Sequence, residues 1–336
     1  MTTLAQKNTS QSPEPWLLLD ITTECNLRCK HCYLWRTTEG PTALTTEEKI
    51  RVISQFKEWK QGGKVVFAGG EVFLKPLEVL QLAKHCAELG IHSTALTNAT
   101  LLNRDLAKAL LLSGISQISV SLDAPNAASY DFTRGVAGTF KKAVESIRML
   151  VELRKELPKE KPVDIFVATI LKRSILSQLP QHLDFVRSLG VDGIFLFPLE
   201  ATFANSGESD PFYEKEKLLI EAHTANMLDY LKDYQELHGF IANSPADLAA
   251  MKRNIMFGEN DGCVAGARNI VVDLNGNVRF CHLMEDKISN GKILGSVRQG
   301  SLKDLCTTTA AEGFRELMKS CQEPCASLNC NRPTVQ

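Results

Sequence analysis

The sequence has no apolar run long enough to cross a bilayer, which takes about 20 residues; stretches such as ALLLSGI and GIFLFPL end far sooner. It has almost no net charge, a formal −1 from 38 Lys and Arg against 39 Asp and Glu. No overall field therefore favours nucleic acid or an anionic membrane. Residues 1–15, MTTLAQKNTSQSPEP, lack the apolar centre of a signal peptide and read as a flexible arm. These absences point to a cytoplasmic protein with no membrane and no nucleic-acid partner. No internal repeat or low-complexity tract stands out, and no paired acid–base constellation does either.

Cysteine, by contrast, is plentiful, with ten in the chain. In a reducing compartment such thiols bind metal or react more often than they form disulfides. Cys25, Cys29 and Cys32 lie within eight positions, and Cys263, Cys281, Cys321, Cys325 and Cys330 gather near the end. Cys86 and Cys306 fall outside both groups and read as small buried apolar residues. The front group lacks a fourth member. A structural zinc site closes on four ligands, and disulfides need an even count. Three thiolates on one short loop can instead hold three irons of a four-iron cluster and leave the last iron open. A zinc knuckle with His31 as fourth ligand is the competing reading.

Between these groups, apolar runs alternate with helical stretches. The strands read as WLLLDITT, KVVFAGG, IHSTALTN, QISVSLD, DIFVATIL and GIFLFPL. Thr45, with Glu48 three positions on, caps the first helix, and Gly62 is expected to end it. Six strand–helix units predict an α/β fold of parallel strands, either an open doubly wound sheet or a partial barrel. In both, ligands sit at the carboxyl ends of the strands. The candidate residues collect there: Cys25 to Cys32 after strand one, Gly69, Gly70 and Glu71 after strand two, Thr97 and Asn98 at strand three, and Ser121 and Asp123 at strand four. Later, ARNIVVDLNGNVRFCHL predicts a hairpin with a type I′ turn at Asn275-Gly276.

CNLRCKHCY resembles the signature of the radical S-adenosylmethionine (SAM) superfamily, and FAGGEVFLKP, TNATLL and SVSLDAPNAASYDFTRG resemble its later segments. The resemblance implies a partial (β/α)6 TIM-like barrel. Cys25, Cys29 and Cys32 would hold a [4Fe-4S] cluster whose open iron is chelated by SAM; an electron would split SAM to a 5′-deoxyadenosyl radical that abstracts hydrogen from substrate. It further implies that Tyr33 lies near the adenine, that Gly69 and Gly70 let the backbone approach SAM, and that Glu71 holds its amino group. Thr97 and Asn98 would end strand three beside the cofactor. Ser121 would meet the ribose or carboxylate side, Asp123 the ribose or substrate, and Arg134 the SAM carboxylate. Thr169, Leu171 and Phe197 are further expected neighbours. Val72 stands where a proline is usual, and Ala99 where glycine is common.

The terminal cysteines resemble the family's auxiliary-cluster modules, SPASM or its shortened form Twitch, here a small cysteine-rich α+β unit. Five thiols imply one auxiliary [4Fe-4S] cluster, with Cys263 and Cys281 as ligands plus two of Cys321, Cys325 and Cys330; a structural zinc site is the alternative. The chain divides as an arm over 1–15, a core over 16–200, bridging loop and helices over 201–257, and the cluster module over 258–336. Residues 200–213 are expected to loop over the substrate mouth. By resemblance the enzyme modifies a ribosomally made, leader-bearing peptide, by crosslinking, epimerisation or splicease-type backbone excision. A start of strand one near Trp16 leaves no room for a peptide-recognition domain, so a separate small recognition protein is expected, together with flavodoxin or ferredoxin as electron donor. The alternatives are a small-molecule radical SAM enzyme, of amino-sugar dehydrogenase or haem-pathway type, and a non-catalytic zinc-binding interaction protein.

Overall fold

The computed structural model describes residues 14–32, 34–36, 40, 42–157, 162–200, 210–259, 263, 265–281 and 293–319. Tyr33, Cys321, Cys325 and Cys330 lie outside the described residues, as do most of the expected arm and of the loop at the substrate mouth.

The six apolar runs become β1 Trp16–Thr22, β2 Lys64–Gly69, β3 His92–Thr97, β4 Gln117–Ser121, β5 Asp164–Leu171 and β6 Gly193–Pro198. Each pairs in parallel with the next. Helices α1 Thr46–Lys60, α2 Pro76–Glu88, α3 Arg104–Leu112, α4 Ala127–Arg134, α5 Thr139–Glu156 and α6 Leu179–Ser188 lie in the connections. This is the partial (β/α)6 barrel. Strands β7 Asn269–Val272, β8 Asn277–Arg279 and β9 Gly295–Ser296 join its edge, giving the order β6-β5-β4-β3-β2-β1-β7-β8-β9. The C-terminal hairpin therefore builds no sheet of its own: β7 runs parallel to β1, from Trp16 against Asn269 to Leu19 against Val272.

Alternation along the strands sorts two faces. Leu17, Leu19, Val65, Phe67, Ala95, Ile118, Val120, Ile165, Val167, Ile194 and Leu196 all belong to the large core shared with the helices. Their alternates, among them Leu18, Asp20, Ala68, Leu96, Ser121, Ala168, Phe195 and Phe197, lie outside that core, on the inner face of the barrel. At the β6 edge the segment after the helix Ala222–His238 takes the place of another strand. Ala242 N donates to Ile194 O at 2.8 Å, and the Asn243 amide bonds both Leu196 N and Leu196 O. This satisfies an edge that would otherwise invite pairing with another chain.

Local differences from the sequence reading have physical reasons. Helix α1 stops at Lys60 with Gln61 in the left-handed region (φ 54°), one residue before the expected Gly62. Helix α4 was not foreseen: its sequence AASYDFTR spans only eight residues, about two turns, and its N-cap is Asn126, whose side chain accepts from Ser129 N. The turn at Asn275-Gly276 is not type I′, which needs φ > 0 at both residues. Only Gly276 is positive, at φ 86°. Asp273 organises the turn instead, its Oδ1 accepting from Asn275 N and Asn277 N. Residues 211–216, read as loop, form a short helix N-capped by Asp210 with Pro211 in the first turn. A long helix follows over Ala222–His238. Among the described residues, no helix is long and apolar enough to cross a membrane.

The C-terminal segment docks on the start of α1. Arg298 reaches Glu48 at 2.6 and 2.8 Å and also the carbonyls of Thr42 and Ala43. Glu48 is also the capping-box partner of Thr45. The Arg298 hydrogen bond, then the Thr45 N–H, hold the Glu48 carboxyl down at about 2, against an ordinary 4.5. A depressed carboxyl contributes stability that is present above its unfolded pKa and lost as pH falls toward the folded one. The melting temperature of wild type should therefore exceed that of Glu48→Gln at pH 6, and the gap should close between pH 4.5 and pH 2. A gap that stays constant through that window would refute the assignment.

Candidate functional site

The site begins with an irregularity in β1. Asp20 pairs with Ala68 and Thr22 with Gly69, so Ile21 is an extra residue. Such a bulge bends a strand and re-aims the residues beyond it. The buried Lys49 of α1 holds it, donating to Ile21 O at 3.0 Å while bonded to Glu78 at 2.8 Å. The cysteine loop leaves from this bend.

Gly69 and Gly70 lie directly against the loop's first residues. A Cβ on Gly69 would meet Thr22 O at 2.2 Å, and one on Gly70 would meet Glu24 O at 2.0 Å. Gly70 N donates to Thr22 O and Glu71 N to Glu24 O. Close packing of two chain segments by itself already requires both glycines. The other side of the loop is joined to the end of α4. Arg28 N donates to Arg134 O and Lys30 N to Thr133 O. Gly135, at φ 72°, closes the helix where a Cβ would strike Arg28 O.

Each of the three thiols meets a donor. Leu27 N lies 3.4 Å from Cys25 Sγ, Leu34 N–H faces Cys32, and Arg134 Nη1 lies 3.7 Å from Cys29 Sγ. Donors of this kind suit thiolates. Without a metal, burial pushes the Cys25 and Cys32 thiols up, Cys32 to about 11, and each is raised further by neighbouring thiols of the same loop. Loading with metal must therefore release protons. Three mutually coupled thiols, each with its own donor, fit a sulfur-ligated cluster. His31, the candidate zinc ligand, is buried. Burial first, then Arg134, lowers it to about 3, and its ring lies 6.5 Å from that of Phe212.

Glu71 was expected to hold an amino group directly. In the structure it exposes no surface. Its Oε1 accepts from Thr97 Oγ1 at 2.7 Å and Phe73 N at 3.1 Å, and its Oε2 from Asn98 N at 2.8 Å. Asn98 in turn donates to Asn26 in the cysteine loop, and Asn26 to Thr100. The carboxylate thus ties the ends of β2 and β3 to the loop. Glu71→Gln forces an amide NH2 against one of these donors and should cost about 2 kcal/mol in chemical denaturation. A loss below about 0.5 kcal/mol would show that the donors find other partners. Ala99, at φ 58°, occupies a left-handed position natural to glycine, the residue that the family resemblance leads one to expect there.

Asp123 and Arg134 were expected to face a ligand; they face each other. Their ion pair is 2.5 Å long, with side chains 1% and 7% exposed. Burial would raise the Asp123 carboxyl, but Arg134 and then Lys172 outweigh it and hold it below the ordinary range. Lys172, also buried, donates to Asp123 O at 3.3 Å. Sequence reasoning missed Lys172, because one lysine after a strand carries no pattern. Ser121 ends β4 half-buried, and its carbonyl accepts from Tyr130 of α4. Thr169 and Leu171 are fully buried, Leu171 in the core shared with the helices and Thr169 bonded to Leu122 O and His182; this corrects their expected place beside a ligand. Phe197 does lie on the inner face.

At the second cysteine group, Gly266 (φ 80°) packs on the Phe280 ring, where a Cβ would approach to 2.4 Å. This contact sets the turn carrying Cys263 against the strand end carrying Cys281. Cys263 is half-buried and Cys281 buried. Cys86 and Cys306 are fully buried core residues, as their settings implied.

Comparison with known proteins agrees with this geometry. Residues 19–158 match the radical SAM superfamily, and residues 263–331 match SPASM, an iron–sulfur cluster-binding domain. The chain is 28% identical over 194 residues to an AdoMet-dependent heme synthase of Methanosarcina barkeri, covering 57% of this chain and 52% of that protein. It is 29% identical over 177 residues to a PqqA peptide cyclase of Rhodopseudomonas palustris, 52% of this chain and 44% of that one. A longer match, 26% over 320 residues, joins it to a tungsten-containing aldehyde ferredoxin oxidoreductase cofactor-modifying protein of Pyrococcus furiosus, 91% of this chain and 84% of that one. The chain spans about half the length of the first heme synthases it matches. In fold it resembles Streptococcus suis SuiB bound to precursor peptide SuiA, with TM-score 0.67, 18% identity, and 92% and 68% of the two chains covered. It also resembles anSMEcpe with bound AdoMet and a Cp18Cys peptide, with TM-score 0.69, 18% identity, and 92% and 84% covered.

Proposed function

We propose that the chain, whose residues 19–158 match the radical SAM superfamily and residues 263–331 the SPASM domain, is a radical SAM enzyme that modifies a peptide. When bound, a SAM-ligated [4Fe-4S] cluster would supply one-electron reductive chemistry for hydrogen abstraction. Cys25, Cys29 and Cys32 would hold that cluster. Glu71, through Thr97 and Asn98, would fix the rim on which SAM lies, and Arg134 would hold the Cys29 thiolate while balanced by Asp123. Gly69, Gly70, Ser121 and the loop at Tyr33 would frame the cofactor. One auxiliary [4Fe-4S] cluster would take Cys263, Cys281 and two of Cys321, Cys325 and Cys330, in a module spanning residues 258–336.

The observation that carries the peptide reading is that the fold match to two peptide-bound enzymes extends over 92% of the chain. The PqqA peptide cyclase match supports it within the core. A leader-bearing precursor, a separate small recognition protein and a flavodoxin or ferredoxin donor belong to this reading. The heme synthase matches favour a second reading, a tetrapyrrole substrate. Mass spectrometry of a co-expressed precursor peptide decides between them. A mass change that needs SAM and intact Cys25 supports the first; turnover of an iron porphyrin with no peptide change would replace it.

A further inference from the structure

The inner face of the barrel is uneven in chemistry. On β5 and β6 it is aromatic: Phe166 and Phe195 have ring centroids 5.0 Å apart, and Phe195 and Phe197 6.3 Å. Leu96 on β3 is left 38% exposed on the same face. On β1 the face carries Asp20. Its sequence neighbours Leu19 and Ile21 are buried on the helix side, whereas Asp20 is only partly buried and lies outside the core. Strands β1 and β6 are the first and last of the six parallel strands, and their inner faces line one barrel interior.

Asp20 has no cation of its own. No hydrogen bond or ion pair reaches its side chain from the described residues. Three charged groups face it. Lys49 on α1 is bonded to Glu78 and Ile21 O. Arg279 on β8 is paired with Asp273 at 3.2 Å. Asp273, which follows β7 in register with Asp20, adds a like charge. Asp20, Asp273 and Arg279 together hold one carboxylate too many. Such a surplus inside a protein is neutralised by a proton or by a bound cation.

We propose that Asp20 is the counter-ion for a cationic group on the substrate, an ammonium or guanidinium carried beside an apolar segment that lies on Phe195 and Phe197. This rests on the proposed function, with the substrate taken into the barrel interior beside the cysteine loop. Burial, then Asp273, raises the Asp20 carboxyl to about 7, opposed by Arg279 and Lys49. A proton thus fills the place when no cation does. The cation must displace that proton, so its binding tightens as pH rises through about 7.

Three probes with the same ring test this: phenethylammonium, 2-phenylethanol and 3-phenylpropionate. Their affinities are read from thermal shifts of the anaerobically reconstituted full chain with SAM, at fixed ionic strength. At pH 8 phenethylammonium should bind about tenfold tighter than the alcohol, with the propionate weakest. That preference should fall several-fold at pH 6 and vanish in Asp20→Asn. Equal affinity for amine and alcohol at pH 8, or an undiminished preference in Asp20→Asn, overturns the proposal. Should that variant fail to fold, the wild-type pH series decides alone, and a preference that does not fall at pH 6 overturns it. Formation of 5′-deoxyadenosine by the same wild-type sample reports the enzymatic reading separately, so the two can fail independently.

Discussion

Replacing Cys29 with alanine should lower SAM cleavage to less than about one-hundredth of wild type, since removing partners of a metal ligand alone costs about 10–100-fold. It should also remove the SAM-binding cluster, about four irons per chain, while leaving the iron of the terminal module. The position of Cys29 is the reason. Cys29 is 7% exposed, is bonded to the Arg134 guanidinium, and lies in a loop held on one side by Gly70 and Glu71 and on the other by the end of α4. No neighbouring thiol can take its place without moving both supports. The checks are iron analysis and quantification of 5′-deoxyadenosine under dithionite. Unchanged iron and unchanged nucleoside would remove Cys29 from the metal site, and with it the account of the loop.

Arg134→Met should destabilise the chain by about 3–5 kcal/mol, because it leaves the Asp123 carboxylate buried without its cation. Asp123 Oδ1 would keep only Ile170 N as a hydrogen-bond donor, and Lys172 contacts the Asp123 carbonyl rather than its carboxylate. The double variant Arg134→Met with Asp123→Asn should regain part of that loss, since no uncompensated charge then remains. A double-mutant cycle by urea denaturation measures the coupling. Strict additivity, or a single-variant loss below about 1 kcal/mol, would show that water or another group neutralises Asp123.

Much of this was legible in the sequence because it is written in local pattern. The six parallel strands, the Thr45–Glu48 capping box and the buried settings of Cys86 and Cys306 arise from periodicity and short-range chemistry. So does the clustering of the front cysteines with Glu71, Asn98 and Asp123 at one rim. Pairing between distant polar residues could not be read in the same way. Glu71, Asp123 and Arg134 were each recognisable as chemistry-bearing, yet their partners lie on other elements: Thr97 and Asn98 at the end of β3 for Glu71, Arg134 at the end of α4 for Asp123, and Cys29 in the cysteine loop for Arg134. Sequence spacing says nothing about which of two buried polar groups meets a ligand and which meets the other. Helix α4 was hidden for a related reason, since it is only eight residues long and its role lies in the two carbonyls it offers to Arg28 and Lys30. Lys172 and Asp20 are single residues whose meaning comes only from what surrounds them.

The parallel alignment of β7 with β1 couples the fates of the two ends of the chain. Heat or urea that strips the tail hairpin uncovers the strand from which the first thiol loop departs, so both regions should melt as one cooperative unit in calorimetry. Oxidative damage to the rear iron site would then be felt at the front one without any small molecule passing between them.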